Sequence, residues 1–354
     1  MRVGEGDLQV RIMITGGTGF LGCHIARRFL QEGWEARLVD LLPLDEPDLI
    51  GRAEAVQADV RDADAMARAC KDVDVTVHAA AALPIQGSRA VIEAVNVQGS
   101  RNALAGSLAA GVHRFIAISS TALYGIPEVH PLYEDSALAP LGLYGESKYQ
   151  LEQACLQYRE KGLDVTIVRP KTFIGTGRLG LFQILFDWIQ HGKKIPILGP
   201  GNNRYQLLAV TDLVDALWRI ATRDAASNEL FNIGADRYGT VREDLEALCR
   251  HAGTGSRLAS VPSGPAQFVL RGMELAHLSP LVEWHYRTAA KDSFVSVDKA
   301  KRVLAWQPEF SNAEVLIQTY DWYIAHYQQY LGKVGLTHRV AWDQKLLKVV
   351  RWFF

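Results

Sequence analysis

The sequence predicts an α/β protein: a doubly wound parallel sheet with helices on both faces, followed by a smaller C-terminal lobe. Three observations carry this. Short apolar runs alternate with helix-length segments through the first half of the 354 residues. The runs read as strands buried on both faces, the pattern of parallel sheets. After Pro170 the alternation breaks, and glycines, prolines and aromatic residues become frequent.

Residues 10–15 read as the first strand and 20–31 as a helix closed by Gly33. Strands follow at 35–39 and 54–57, a helix at 62–71 and a fourth strand at 73–78. A long helix over 89–110 stops at Gly111, before a fifth strand at 113–119. A helix over 144–161 leads to a sixth strand at 164–169. Beyond Pro170, helices are expected at 182–190 and from a Thr211 cap to 221, with a strand at 230–233. Thr240-Val241-Arg242-Glu243 is a capping box that opens a further helix. The expected organisation is an N-terminal extension (1–10), a main sheet domain (11–177 and 206–240), a smaller lobe (178–205 and 241–330) and a tail (331–354).

Composition bounds the function. The net charge of -1 gives no electrostatic case for a nucleic-acid binder. Cys23, Cys70, Cys155 and Cys249 form no paired motif and fit buried thiols in a reducing cytoplasm. No run of about 18 apolar residues suggests a membrane span. The ten histidines form no ligand cluster, so no metal site is expected. His78 ends the fourth strand and reads as a packing or cofactor-lining residue rather than a base.

The sequence Thr15-Gly16-Gly17-Thr18-Gly19-Phe20-Leu21-Gly22 directly follows the first strand and opens a helix. Gly16 permits a tight turn, Gly19 lets backbone approach a pyrophosphate, and Gly22 lets the helix pack closely. Free N–H groups at the helix start then hold phosphate oxygens. Glycine triplets also occur in ordinary turns; the strand before and the helix after supply the context that points to a dinucleotide. Asp40 ends the second strand, where a carboxylate bonds ribose hydroxyls and repels a 2′-phosphate, favouring NAD over NADP. Asp59 and Val60 follow the third strand, within reach of an adenine.

Tyr144-Gly145-Glu146-Ser147-Lys148 places a phenol and an amine four residues apart on one helix face. An ammonium beside a phenol stabilises phenolate and makes it usable as an acid–base group. The same pair also suits an ordinary surface helix. What favours chemistry is the end of the fifth strand, Ile118-Ser119-Ser120-Thr121, which brings hydroxyls to the sheet edge where such folds bind ligands.

Taken in order, T-G-x-x-G-x-x-G, the acid at Asp40, Asp59-Val60, H-A-A-A from His78 through Ala79 and Ala80, N-V-x-G at Asn96, S-S-x-x-x-Y-G from Ser119, Y-G-x-S-K at Tyr144 and R-P at Arg169-Pro170 resemble the extended short-chain dehydrogenase/reductases, including the NAD-dependent epimerases and dehydratases. The resemblance spans about residues 11–310, and Ala300–Pro308 is similar to the C-terminal signature of sugar-nucleotide members. It implies a Rossmann-type fold, a homodimer built on the helices at 89–110 and 144–161, and an NAD cofactor. It assigns Tyr144 as the acid–base, Lys148 as the group that binds the nicotinamide ribose and lowers the tyrosine pKa, and Ser120 as the polarising hydroxyl, with Thr121 the alternative. It places Gly16, Thr18, Gly19, Phe20, Leu21, Gly22, Asp40, Asp59, Val60, Ala79, Ala80, Asn96, Ser119 and Pro170 around the cofactor. Thr121, Arg204 and Arg287 would meet the substrate.

The sequence departs from that pattern in places. Ser120-Thr121-Ala122-Leu123-Tyr124 lacks the acid that dehydratases carry there, which disfavours a 4,6-dehydratase. Arg204-Tyr205-Gln206 replaces the usual R-D-F and Arg287-Thr288-Ala289-Ala290 the usual R-P-G-D, and both changes weaken the case for a nucleotide-diphosphate substrate and raise that for another ketone or alcohol. With the dehydratase disfavoured, the leading expectation from the resemblance stays a nucleotide-sugar epimerase working through a keto intermediate. A hydroxysteroid-dehydrogenase-like ketone reductase is the alternative, and a non-catalytic dinucleotide-binding protein ranks last. The tail from Arg339 to Phe354 is basic and amphipathic at helical spacing; contact with an anionic membrane surface and packing on this chain or a partner subunit both stay open.

Overall fold

A computed structural model describes residues 9–83, 87–275 and 287–330; the expected N-terminal extension lies almost wholly outside these residues and the basic tail entirely so. Strands β1 (Arg11–Thr15), β2 (Glu35–Asp40), β3 (Glu54–Gln57), β4 (Val75–His78), β5 (Arg114–Ile118), β6 (Val165–Pro170) and β10 (Leu230–Ile233) form one parallel sheet. Its order is β10-β6-β5-β4-β1-β2-β3. The strand order reverses between β1 and β4, which opens a crevice at their carboxyl ends.

Helix α1 (Phe20–Gln31) runs back from β1, and α2 (Ala63–Ala69) is capped by Asp62, whose side chain accepts from Ala65 N. The expected long helix is three segments: α3 (Arg89–Ile92), a π-helical stretch (Glu93–Gly99) and α4 (Ser100–Ala109). Helix α5 (Gly142–Glu160) begins two residues before Tyr144. The capping box at Thr240 is present and opens α8 (Val241–Ala252), with Gly253 in the left-handed region closing it. By contrast, α7 (Val210–Thr222) starts one residue before Thr211, and its N-cap Ala209 supplies no side-chain bond. The four cysteines are buried and none is in a disulfide, Cys70 at the C-cap of α2 rather than inside it.

Two small parallel sheets were not apparent from periodicity: β7 (Thr172–Ile174) with β9 (Leu207–Ala209), and β8 (Ile195–Leu198) with β11 (Leu258–Val261). Each strand has three or four residues, too short for a repeat to register. They accompany α6 (Leu181–Gln190), α9 (Ser263–Leu275) and α11 (Asn312–Tyr330). A second core joins α6, α8 and α11 around Phe186, Leu248, Leu316 and Tyr323.

The expected division places 241–330 wholly in the smaller lobe, and the packing differs. Val295, Val297, Ala300, Leu304 and Trp306, on and around α10 (Asp298–Leu304), are buried in the same core as β1 and α1. Trp306 Nε1 donates to Asp212 O at 3.0 Å, while Glu309 N and Phe310 N donate to the Asp212 carboxylate at 3.0 and 3.2 Å. The C-terminal signature thus anchors the chain to α7 beside the main sheet.

Candidate active site

The glycine loop is fixed by contact. Gly16 has φ +69°, and a Cβ there would lie 2.9 Å from Ala80 N. A Cβ on Gly22 would come within 2.3 Å of Gly16 O, so the first turn of α1 rests on the loop backbone. Gly17 was not singled out from sequence, yet its Cβ would meet Leu38 at 2.7 Å. Gly19 is the N-cap of α1 and makes no side-chain cap bond, leaving the helix start open to an anion.

One cleft of about 1360 Å³ runs from this loop across the sheet edge. That exceeds the space of a single small ligand and suits a dinucleotide plus a substrate. Gly16, Thr18, Gly19, Phe20, Leu21, Gly22, Asp40, Asp59, Val60, Ala79, Ala80, Ser119, Ser120, Thr121, Tyr144, Lys148 and Pro170 all line it. Asp40 accepts from Thr18 N at 3.1 Å and from Leu42 N at 3.3 Å, which sets its carboxylate at the mouth beside the loop. Asp59 is engaged within the chain: Arg61 grips its carboxylate at 2.8 and 2.5 Å and holds it below the usual carboxylate range.

Asn96 does not line the cleft. Its amide accepts from Ala82 N at 2.7 Å and donates to Ala82 O at 3.0 Å and to Ser147 Oγ at 3.0 Å. It therefore ties the loop after β4 to α5. His78 is buried between Thr15 Oγ1 (2.7 Å) and Ser100 Oγ (2.8 Å), and burial pushes its pKa down to about 3. Ser100 spends its only proton on Asn96 O at 2.6 Å, so it accepts from His78 Nε2–H, and Nδ1 accepts from Thr15. The imidazole is neutral and packed between the two hydroxyls.

Tyr144, Lys148 and Glu152 recur every four residues and line one face of α5. Glu152 is clamped by Arg169 of β6 at 2.6 and 2.8 Å and accepts from Ser119 Oγ at 2.6 Å. Arg169 also donates to the Tyr124 hydroxyl at 2.8 Å. This buried network holds α5 against the ends of β5 and β6 and so positions the phenol and amine above it.

The Tyr144 phenol meets the Ser120 hydroxyl. Thr121, the alternative, turns toward Pro170 O at 3.4 Å. Lys148 Nζ lies 5.7 Å from the Tyr144 ring centre and donates to Ile118 O at 2.7 Å; burial lowers its pKa to about 8. Burial raises the tyrosine pKa, and the groups opposing that are Ser120 and the charge of Arg178. The sequence reading gave this role to Lys148; in the fold it falls to Ser120 and Arg178 instead, and Lys148 is not among the groups that shift the phenol.

Arg204 and Arg287 do not line the cleft; both are exposed, and Tyr205, Thr288 and Ala289 face it instead. Two buried cations that the sequence did not reveal do line it. Lys171 Nζ donates to Ser293 Oγ at 2.6 Å and lies 4.9 Å from the Tyr205 ring, and burial lowers its pKa to about 7. Arg178 sits 5.2 and 5.3 Å from the rings of Phe20 and Phe173. Nothing in their local sequence marks either residue, because only tertiary burial separates them from surface cations. Phe173, Phe182, Leu185, Leu245, Leu316 and Trp322 form an apolar wall at this end.

Among the described residues no group of three potential ligands could hold a metal, and no helix is long and apolar enough to cross a membrane.

Residues 12–234 match the model of the NAD dependent epimerase/dehydratase family. An uncharacterized protein of Sinorhizobium fredii, y4nG, is 35% identical over 349 residues, covering 98% of this chain and 86% of that protein. A 3 beta-hydroxysteroid dehydrogenase/Delta 5-->4-isomerase of Mycobacterium tuberculosis is 27% identical over 361 residues, covering 93% of this chain and 95% of that one. The crystal structure of UDP-glucose 4-epimerase with UDP-glucose from Thermotoga maritima superposes with a TM-score of 0.76 at 25% identity, covering 90% of this chain and 100% of that one. The glycine cradle, the sheet-edge cleft and these matches agree: the chain belongs to the NAD-dependent epimerase/dehydratase family of the extended short-chain dehydrogenase/reductases.

Proposed function

We propose that the protein is an NAD-dependent enzyme that interconverts a secondary alcohol and its ketone, with nucleotide-sugar epimerisation as the first reading. The observation that carries it is the meeting of Tyr144, Ser120 and Lys148 in the cleft that the glycine loop also lines. The uncapped start of α1 and the Asp40 carboxylate fit a dinucleotide that carries no 2′-phosphate. NAD, when bound, supplies the hydride-accepting and hydride-donating ring.

The residues supply proton movement and orientation. Tyr144 Oη takes the carbinol proton and returns it to the ketone oxygen. The Ser120 hydroxyl holds that same oxygen. Arg178 and the Ser120 hydroxyl favour the phenolate, offsetting the burial that otherwise disfavours it, and Lys148 stands 5.7 Å from the ring centre.

A second reading, a dehydrogenase or reductase acting on a non-nucleotide substrate, has its own support. The two arginines expected at a diphosphate lie outside the cleft, and the wall opposite is apolar. Absorbance at 340 nm with UDP-glucose and with a hydroxysteroid separates the two, since an epimerase shows no net change. Under either reading Tyr144→Phe keeps NAD affinity and loses about 10²–10⁴ in turnover; unchanged turnover removes Tyr144 from the mechanism. We also propose a homodimer through α4 and α5, supported by the exposed Tyr149 and Leu156, seven residues apart on α5.

A further inference from the structure

Arg178 is a cation in an unusual position. It is 8% exposed, and its Nε and Nη1 are buried without a hydrogen-bond partner. The rings of Phe20 and Phe173 take its apolar contacts but offer no oxygen to its N–H groups. Among the described residues, the one ionisable group whose charge bears on it is the Tyr144 phenol, and burial lowers its pKa to about 9. Phe20 is the first residue of α1, whose positive end adds to the local field. A guanidinium held dry, with free donors and no carboxylate, is poorly stabilised until an anion arrives. Its planar fork matches a carboxylate or a phosphate.

We propose that Arg178 is an anion-binding subsite for the substrate, so that the substrate carries a carboxylate or phosphate near the carbon that reacts at Tyr144. Lys171 also lines the cleft, but its amine already donates to Ser293. Arg178 is the group with donors to spare. The inference rests on the reading of this cleft as the cofactor and substrate site. It narrows the substrate from any secondary alcohol to an acidic one, such as a uronate, a hydroxy acid or a phosphorylated alcohol.

The test is calorimetric titration of the full chain with sodium phosphate and with sodium acetate, against sodium chloride at constant ionic strength. Each is run with and without saturating NAD. With NAD bound, the wild type is expected to bind phosphate or acetate saturably. Arg178→Met is expected to weaken that binding at least tenfold, and Arg178→Lys to weaken it less, while NAD affinity changes less than threefold. Arg178→Lys keeps the charge and serves if the methionine variant does not fold. Equal anion affinity in wild type and variants overturns the proposal, as does no saturable binding by the NAD-loaded wild type. A tenfold loss of NAD affinity with displacement of the anion by NAD also overturns it, assigning the guanidinium to the cofactor pyrophosphate. If the wild type binds no NAD at all, the enzymatic reading fails on its own, while the phosphate titration still reports on Arg178.

Discussion

Replacing Glu152 by Gln tests whether the buried pair beneath the site is what pins helix α5. Glu152 and Arg169 are 5% and 4% exposed, and they are joined by two bonds of 2.6 and 2.8 Å. Removing one charge leaves the Arg169 guanidinium buried without its counter-ion, a loss of about 3–5 kcal/mol. The Ser119 hydroxyl, which donates to the same carboxylate, keeps an amide oxygen to bond and adds little. Urea unfolding followed by circular dichroism should therefore show a lower midpoint with an unchanged slope. Replacing both residues by Leu should cost less than the sum of the single changes, because the two are coupled. Glu152 also favours the cationic form of Lys148, so in the variant the amine should lose its proton at lower pH. A cost below about 1 kcal/mol, the range of an exposed pair, would falsify the view that this network holds α5 in place.

Two further outcomes follow from the same geometry. Gly22→Ala puts a methyl 2.3 Å from Gly16 O, so NAD affinity should collapse and the melting temperature fall; NAD titration comparable to wild type refutes the close packing of α1 on the loop. His78 has a folded pKa of about 3 against 6.5 for an ordinary histidine, so only the unfolded chain takes up its proton between those values. Stability should then fall with acidification through that window, at up to about 1.4 kcal/mol per pH unit. His78→Asn should flatten this slope by one proton, and an unchanged slope between pH 6.5 and 4.5 rules out a buried neutral imidazole.

Much of the fold was legible in the order of apolar runs. The six expected strands from β1 to β6 and the edge strand β10 are all in the sheet, and the capping box at Thr240 opens α8 as its residues require. These features follow from local chemistry. A strand buried on both faces must be apolar throughout, and a helix start needs acceptors for its free N–H groups. The glycine loop was equally visible, because a turn that leaves no room for a Cβ admits one residue type.

What the sequence determined by itself was therefore the α/β class, the position of the dinucleotide loop and the pairing of Tyr144 with Lys148, all consequences of short-range spacing. The tertiary structure decided the rest. It turned Asn96 and His78 into supports whose polar groups are engaged inside the chain. It left Arg204 and Arg287 outside the cleft, drew residues 295–306 into the main core, and buried Lys171 and Arg178 along the cleft wall. A lysine or arginine in a loop reads the same whether water or protein surrounds it. Its meaning comes from neighbours distant in sequence, such as Ser293 for Lys171 and Phe20 and Tyr144 for Arg178, and these meet it only when the chain has folded.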